Sequence, residues 1–300
     1  MRKAVFAFQL VVVLAMVLGV VGCAPQPTAA PTATPVPPTA TPIPPTATPV
    51  PPTPTPEPTE LRIGISLDVE SMDPFFVNQA AGWSVVHALF DHLIERDFSG
   101  NIVPGLALSW TIVEPTVLEF TLREGVSFHN GETFTADAVK FSVERMLAEE
   151  EAPNQGKFTS IDSVDVVDEY TVRFNMNRPD GTLFDSLTSR LAMLPPKYFE
   201  EVGAEGFASA PVGTGPFSFV EWMPDDRVTL AANEDYWDGS YKGRAEVDTV
   251  VFRPIPEAGT RAAELQAGGV DLIQDVLPDQ IDDLEGAGLV VVPSEAFQLQ

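Results

Sequence analysis

Hydrophobic positions change period several times along the chain. Leu61-Arg62-Ile63-Gly64-Ile65-Ser66-Leu67 alternates with period two and predicts a strand. Gly82 to Glu95 carries Val85, Val86, Leu89, Phe90 and Leu93 at helical spacing, which predicts one helix over that span. Thr116 to Leu122 returns to alternation, with Leu118, Phe120 and Leu122 on one face and Val117, Glu119 and Thr121 on the other. Asn130-Gly131 signals a hairpin turn. Thr135 is placed as the N-cap of a helix over about Ala136–Glu150, with Asp137 suited to its positive first turn and Val139, Val143, Met146 and Leu147 on one face. Val164–Val167 with Tyr170–Asn175 predicts a hairpin, as does Phe217–Trp222 with Val228–Ala232, turned at Pro224-Asp225-Asp226. Val247–Pro254 and Leu289–Val292 predict further strands, and Gly259–Ala267 a short helix. Strands and helices mix without strict βαβ alternation, so the fold class is α+β/α/β rather than a pure parallel sheet.

The first 59 residues show neither period. Arg2 and Lys3 precede an apolar run, Ala4–Val21, broken only by Gln9, and Val20-Val21-Gly22-Cys23 places small or aliphatic residues before the chain's one cysteine. This resembles the lipobox of bacterial lipoproteins. The resemblance implies a signal peptide over 1–23, acylation of the Cys23 thiol, and a lipid bilayer as partner through Cys23. The rest of the chain is then expected on the extracytoplasmic face of the membrane, in the periplasm or at the cell surface. An uncleaved anchor with an incidental cysteine leaves that side unchanged. Residues 24–59 hold 15 of the 29 prolines, and an Ala-Thr-Pro-(Val/Ile) unit recurs at Ala33, Ala40 and Ala47. Proline removes backbone donors and fixes φ, so this is a polyproline-rich spacer with a reach on the order of 100 Å if fully extended.

Charge narrows the classes of function. All 43 acidic residues follow Cys23, whereas two of the 17 lysines and arginines precede it, leaving the remainder near −28. Such a chain repels phosphate backbones, which disfavours nucleic acid as a partner. One cysteine excludes an internal disulfide framework and a cysteine-cluster metal site.

Six blocks then share an order. They are Gly100-Asn101-Ile102-Val103-Pro104 running to Ser109-Trp110, Leu122–Gly131, and Phe134-Thr135-Ala136-Asp137 running to Ser142. Pro211-Val212-Gly213-Thr214-Gly215-Pro216-Phe217, Asn233-Glu234-Asp235-Tyr236-Trp237 and Glu264–Asp271 follow. In this order they resemble the extracellular solute-binding protein family 5, the peptide-, nickel- and oligosaccharide-binding lipoproteins of ABC importers. The resemblance implies a periplasmic-binding-protein-like lobe (type II, cluster C) over 60–272, with an inserted subdomain at about 85–185. Residues 273–300 would begin a second lobe largely missing from this sequence, since family members are much longer; the sequence is then either a fragment, the favoured reading, or a natural chain with a degenerate second lobe. It further implies a monomer that captures a peptide or similar small solute and passes it to an ABC permease and ATPase complex. By the same analogy the loop after Ser71-Met72-Asp73-Pro74 lines the cleft, making Asn78, Gln79 and Ala80 ligand contacts, with Trp83 and Gln155 weaker candidates. The acidic residue that many peptide binders of the family use for the substrate's amino terminus lies in the missing half and has no counterpart here.

Catalytic patterns are weak. Gly213-Thr214-Gly215-Pro216 lacks the Lys-Ser/Thr of a phosphate loop, and its proline removes an N–H, so tight-turn packing beside a cleft is the better reading. His87, His92 and His129 are the only histidines. The first two are five apart on the predicted helix, wrong for sharing a metal on one face, so packing or surface roles are expected. Acidic runs such as Glu149-Glu150-Glu151, Asp225-Asp226 and Asp282-Asp283 read as solvated faces, and the tryptophans as core. No Gly-x-Ser-x-Gly elbow occurs. No enzyme, cofactor or metal is expected, and a binding protein is favoured over two other classes. These are a wall-interacting surface adhesin that transports nothing and an exported hydrolase.

Overall fold

The protein's computed structural model describes residues 59–292 except Phe98, all within one compact unit that begins at Thr55. The expectations for the signal segment, Cys23 and the proline-rich spacer lie outside the described residues. Among the described residues no helix is long and apolar enough to cross a membrane.

Two sheets organise the chain. In the first, β1 (Glu60–Ile65) lies between β11 (Leu272–Ile273) and β10 (Thr249–Pro254), parallel to both. Beyond β10 the antiparallel hairpin of β9 (Arg227–Ala232) and β8 (Phe217–Met223) completes the order β11-β1-β10-β9-β8. The second sheet is fully antiparallel, in the order β4 (Ala107–Glu114), β5 (Val117–Leu122), β7 (Thr171–Met176), β6 (Ile161–Asp168). A small ribbon, β2 (Ile94–Arg96) with β3 (Ile102–Pro104), precedes it.

Alternation explains both sheets. In the second, Leu118, Phe120, Leu122, Val172 and Phe174 are buried against the side covered by α2 (Ala136–Ala148). Its opposite face is polar: Arg173 pairs with Glu119, and the Asn175 amide donates to Ser163 and Asp165. α1 (Ala80–Leu89) buries Ala81, Val85, Val86 and Leu89. α3 (Leu183–Leu187) and α4 (Pro196–Ser209) follow the second sheet, and α4 is interrupted at Gly203, whose φ is 70°. α5 (Ala258–Ala267) is the crossover from β10 to β11, capped by the Glu257 carboxylate accepting from the Gly259 and Thr260 amides. α6 (Ile281–Gly286) is a short terminal element.

Three sequence expectations need correction. The helix expected over Gly82–Glu95 ends at Leu89, because Phe90 is extended and Ile94–Arg96 is strand. Its hydrophobic spacing continued because Phe90, Leu93 and Ile94 are core residues in a non-helical turn. His87 and His92 therefore do not share a helix, although their rings meet edge to face, centroids 5.4 Å apart. Thr135 stands at the N-cap of α2, but its side chain makes no capping bond. Leu289–Val292 forms no strand among the described residues, and Val290 and Val292 are largely exposed.

The glycines of the Pro211–Phe217 segment have a steric reason. A Cβ on Gly213 would stand 2.1 Å from the Leu89 carbonyl oxygen, and one on Gly215 would stand 2.4 Å from that of Ala88. The segment presses on the carboxyl end of α1, and the Gly215 amide donates to Leu89 O at 2.9 Å. Because backbone must move to make room, Gly213→Ala is expected to cost about 1–3 kcal/mol. Urea denaturation with an unchanged midpoint would remove that packing role.

Candidate functional site

The carboxyl ends of β1, β10 and β11 lie along one edge of the first sheet, and in open sheets containing parallel strands that edge is where ligands bind. From Ile65 the chain passes through a loop, residues 66–79, to the start of α1, while the chain after β11 turns into residues 274–280. Beside β11, between α1 and the segment that follows the strand, lies a cleft of about 790 Å³. Ala80 and Ser84 of α1 form one wall, Leu272–Val276 the floor, and Leu284 with Val290 the far side.

Polar groups are fixed along this floor. Gln274 Nε2 donates to Ser84 Oγ at 2.8 Å, and Ser66 Oγ donates to Asp275 Oδ2 at 2.6 Å. Asp275 holds φ at +56°, a left-handed conformation uncommon for a residue with a side chain. The loop is also tied to the β8–β9 turn, where the Asp225 amide donates to Asp68 Oδ2 at 2.7 Å. At the start of α1, Glu70 Oε2 accepts from the Asn78 and Gln79 amides at 2.9 and 3.1 Å, satisfying donors that the first turn leaves free. Gly82 permits the loop to approach, since a Cβ there would meet Val77 Cγ1 at 2.7 Å.

The proposed contact residues fall in three places. Asn78, Gln79 and Ala80 are exposed together, but of the three only Ala80 lines the cleft, and Asn78 and Gln79 lead up to it at the rim. Trp83 is buried on α1, with the Arg190 guanidinium 4.4 Å from its ring centroid and the His87 ring 5.6 Å away. Gln155 lies beyond α2, where its amide donates to Leu147 O at 3.2 Å. Ser84, Gln274 and Asp275 were not singled out from the sequence. Ser84 follows Ala80 by one helical turn, so its place on the same wall was readable once the helix start was fixed. The Gln274 and Asp275 positions depend on which strand β11 joins, a long-range pairing with no local signal.

A buried polar cluster at the opposite end of α1 also escaped the sequence reading. Asp91 is fully buried and accepts from Thr214 Oγ1 (3.1 Å), Tyr236 OH (3.1 Å), Trp237 Nε1 (2.8 Å) and Lys242 Nζ (2.8 Å). Lys242 also donates to the carbonyls of His87 and Phe90, closing the negative end of α1. Burial opposes its charge, but Asp91 and Glu95 overcome this and hold its pKa above the ordinary lysine value. Burial would raise Glu95, yet the Lys242 ammonium and the hydrogen bonds with His92 lower it to about 2. Burial, with His92 and Lys242 nearby, lowers His87 to about 3. His129 bonds the Gly213 amide and the Gly215 carbonyl, and burial lowers its pKa as well. All three histidines are packing residues. Among the described residues no group of three or more His, Cys, Asp or Glu is arranged to hold a metal ion.

This mixed α/β architecture is that of a periplasmic-binding-protein-like lobe. The chain belongs to the bacterial extracellular solute-binding proteins of family 5, whose model, described as the family's Middle part, matches residues 101–298. Heme-binding protein A of Haemophilus influenzae is 35% identical over 214 residues, 62% of this chain and 38% of that protein. A glutathione-binding protein of Pectobacterium atrosepticum is 30% identical, over 74% of this chain and 43% of its own length. Among solved structures, the Helicobacter pylori periplasmic binding protein DppA in complex with the peptide STSA superposes with a TM-score of 0.68 at 30% identity, covering 76% of this chain and 49% of that one. The chain thus spans less than half the length of these relatives.

Proposed function

We propose that this chain is the first-lobe portion of a substrate-binding protein of an ABC importer, capturing oligopeptides or similar small solutes outside the membrane. Residues 60–272 form that lobe and residues 273–300 open the second. Acylated Cys23 holds the protein, a monomer, at the extracytoplasmic face, where it meets a permease and its ATPase, and residues 24–59 are a spacer between anchor and lobe. One acyl chain binds a membrane only marginally and two or more hold it, so the anchor requires the full lipoprotein modification.

The observation that carries this reading is the cleft beside β11, with Ser84, Gln274 and Asp275 fixed along it and Ala80 on its wall, next to the exposed Asn78 and Gln79. An edge strand, β11, with polar side chains beside it suits a peptide held by main-chain hydrogen bonds and water, which tolerates varied side chains. A ligand closes two lobes about a hinge only through its greater affinity for the closed state.

Calorimetric titration of the natural full-length protein with glutathione, di- to tetrapeptides, heme and nickel–histidine tests the proposal. Binding of one of these in the micromolar range or tighter, with the ligand recovered unchanged, is the expected outcome. Silence across the panel would favour the adhesin, and turnover of any compound the hydrolase.

A further inference from the structure

The loop that carries the cleft rim is fastened at its middle to another layer of the molecule. Asp73, in this loop, is 2% exposed and Arg145, in the last turn of α2, is 7% exposed. Arg145 Nη1 and Nη2 donate to the two Asp73 oxygens at 3.1 and 2.5 Å, a bidentate fork. The guanidinium lies between two rings, 4.9 Å from the centroid of Phe75 and 4.3 Å from that of Phe199, with Glu149 at 3.5 Å. Asp73 Oδ1 also accepts from the Phe75 amide at 3.1 Å and starts the 3-10 turn Pro74–Phe76. Beyond that turn, Asn154 Nδ2 donates to Val77 O at 3.3 Å. α2 and the segment after it therefore hold both ends of Asp73–Val77, and the next three residues are Asn78, Gln79 and Ala80.

A buried ion pair is a weak source of stability, because apolar residues of similar volume often replace one at no loss. Arg145 Nε is buried without a hydrogen-bond partner, a further cost of keeping the charge there. What a planar fork does well is fix a single geometry, since small displacements break both bonds. We propose that Asp73 and Arg145 are a positioning pair that sets the cleft rim Asn78–Ala80 against α2. The inference rests on the cleft reading given above.

The test uses the natural full-length protein, with glutathione and the tetrapeptide Ser-Thr-Ser-Ala as probes. The double variant D73N/R145M keeps an acceptor for the Phe75 amide and places a flexible thioether between the two rings. Its unfolding midpoint is expected within a few degrees of wild type, while amides of Phe76–Gln79 exchange at least ~10-fold faster. Affinity for whichever probe the wild type binds is expected to fall ~10-fold, since a loosened support misplaces the contacts. R145K, which keeps the charge but loses the fork, should be intermediate on both readouts. Wild-type exchange and affinity in the double variant would overturn the inference, as would affinity that falls only in step with stability. If the double variant does not fold, wild-type exchange at Phe76–Gln79 in R145K overturns it, and faster exchange supports it. A wild type that bound neither probe would count against the cleft reading, while exchange would still decide whether the pair holds the loop.

Discussion

Replacing Asp91 by alanine is expected to cost about 3–5 kcal/mol, because breaking a buried ion pair leaves its partner's charge uncompensated. The partner is Lys242, nearly buried and 2.8 Å from Asp91. The same substitution leaves the Thr214, Tyr236 and Trp237 donors without their acceptor. These donors arrive from the Pro211–Phe217 segment and from the stretch after β9, so one carboxylate joins two parts of the chain to the carboxyl end of α1. Equilibrium urea denaturation is the measure, and a loss below about 1 kcal/mol would show that water compensates the lysine as it does at exposed pairs. Asp91→Asn should recover part of the loss, since the amide oxygen still accepts from Tyr236 or Trp237.

Acid should unfold the protein, and His87 should govern much of the loss. Its folded pKa of about 3 lies below the ordinary value of 6.5, so unfolding takes up a proton. Stability is therefore intact above about pH 6.5 and declines as pH falls towards 3, by up to about 1.4 kcal/mol per pH unit from this group. Glu95, lowered from 4.5 to about 2, is depressed in the folded state as well. Its contribution is present above pH 4.5 and fades as pH falls towards 2, so the two groups act in the same direction. His87→Gln should change stability little at pH 7 yet retain about 2–4 kcal/mol more than wild type near pH 4, because the glutamine has no charge to expose. Thermal unfolding from pH 7 to 4 separates the cases: parallel curves for the two proteins would remove His87 from the acid response.

Local pattern gave the sheets and helices wherever one face is buried. The strand at Leu61, the alternation of Leu118, Phe120 and Leu122, both hairpins and α5 were readable because burial sets their period. The end of α1 was not readable, since Phe90, Leu93 and Ile94 are buried by the turn that follows and extend the apolar spacing past the helix. The family blocks became intelligible only in three dimensions. Tyr236 and Trp237 supply donors to Asp91, and Gly213 and Gly215 admit the α1 carboxyl end. The cleft was half legible: Asn78–Ala80 came through analogy, while Gln274 and Asp275 required the pairing of β11 with β1 across some 200 residues of sequence. Asp73–Arg145 and Asp91–Lys242 had no sequence signal, because long-range charge pairing leaves no local period.

The most direct measurement is hydrogen exchange on the natural full-length protein with and without a bound peptide, followed by mass analysis of the recovered ligand. Slower exchange at Asn78–Ser84 and Leu272–Val276, with the peptide returned intact, is the expected result. Protection confined to other segments, or a cleaved peptide, would contradict a solute-binding cleft at this sheet edge.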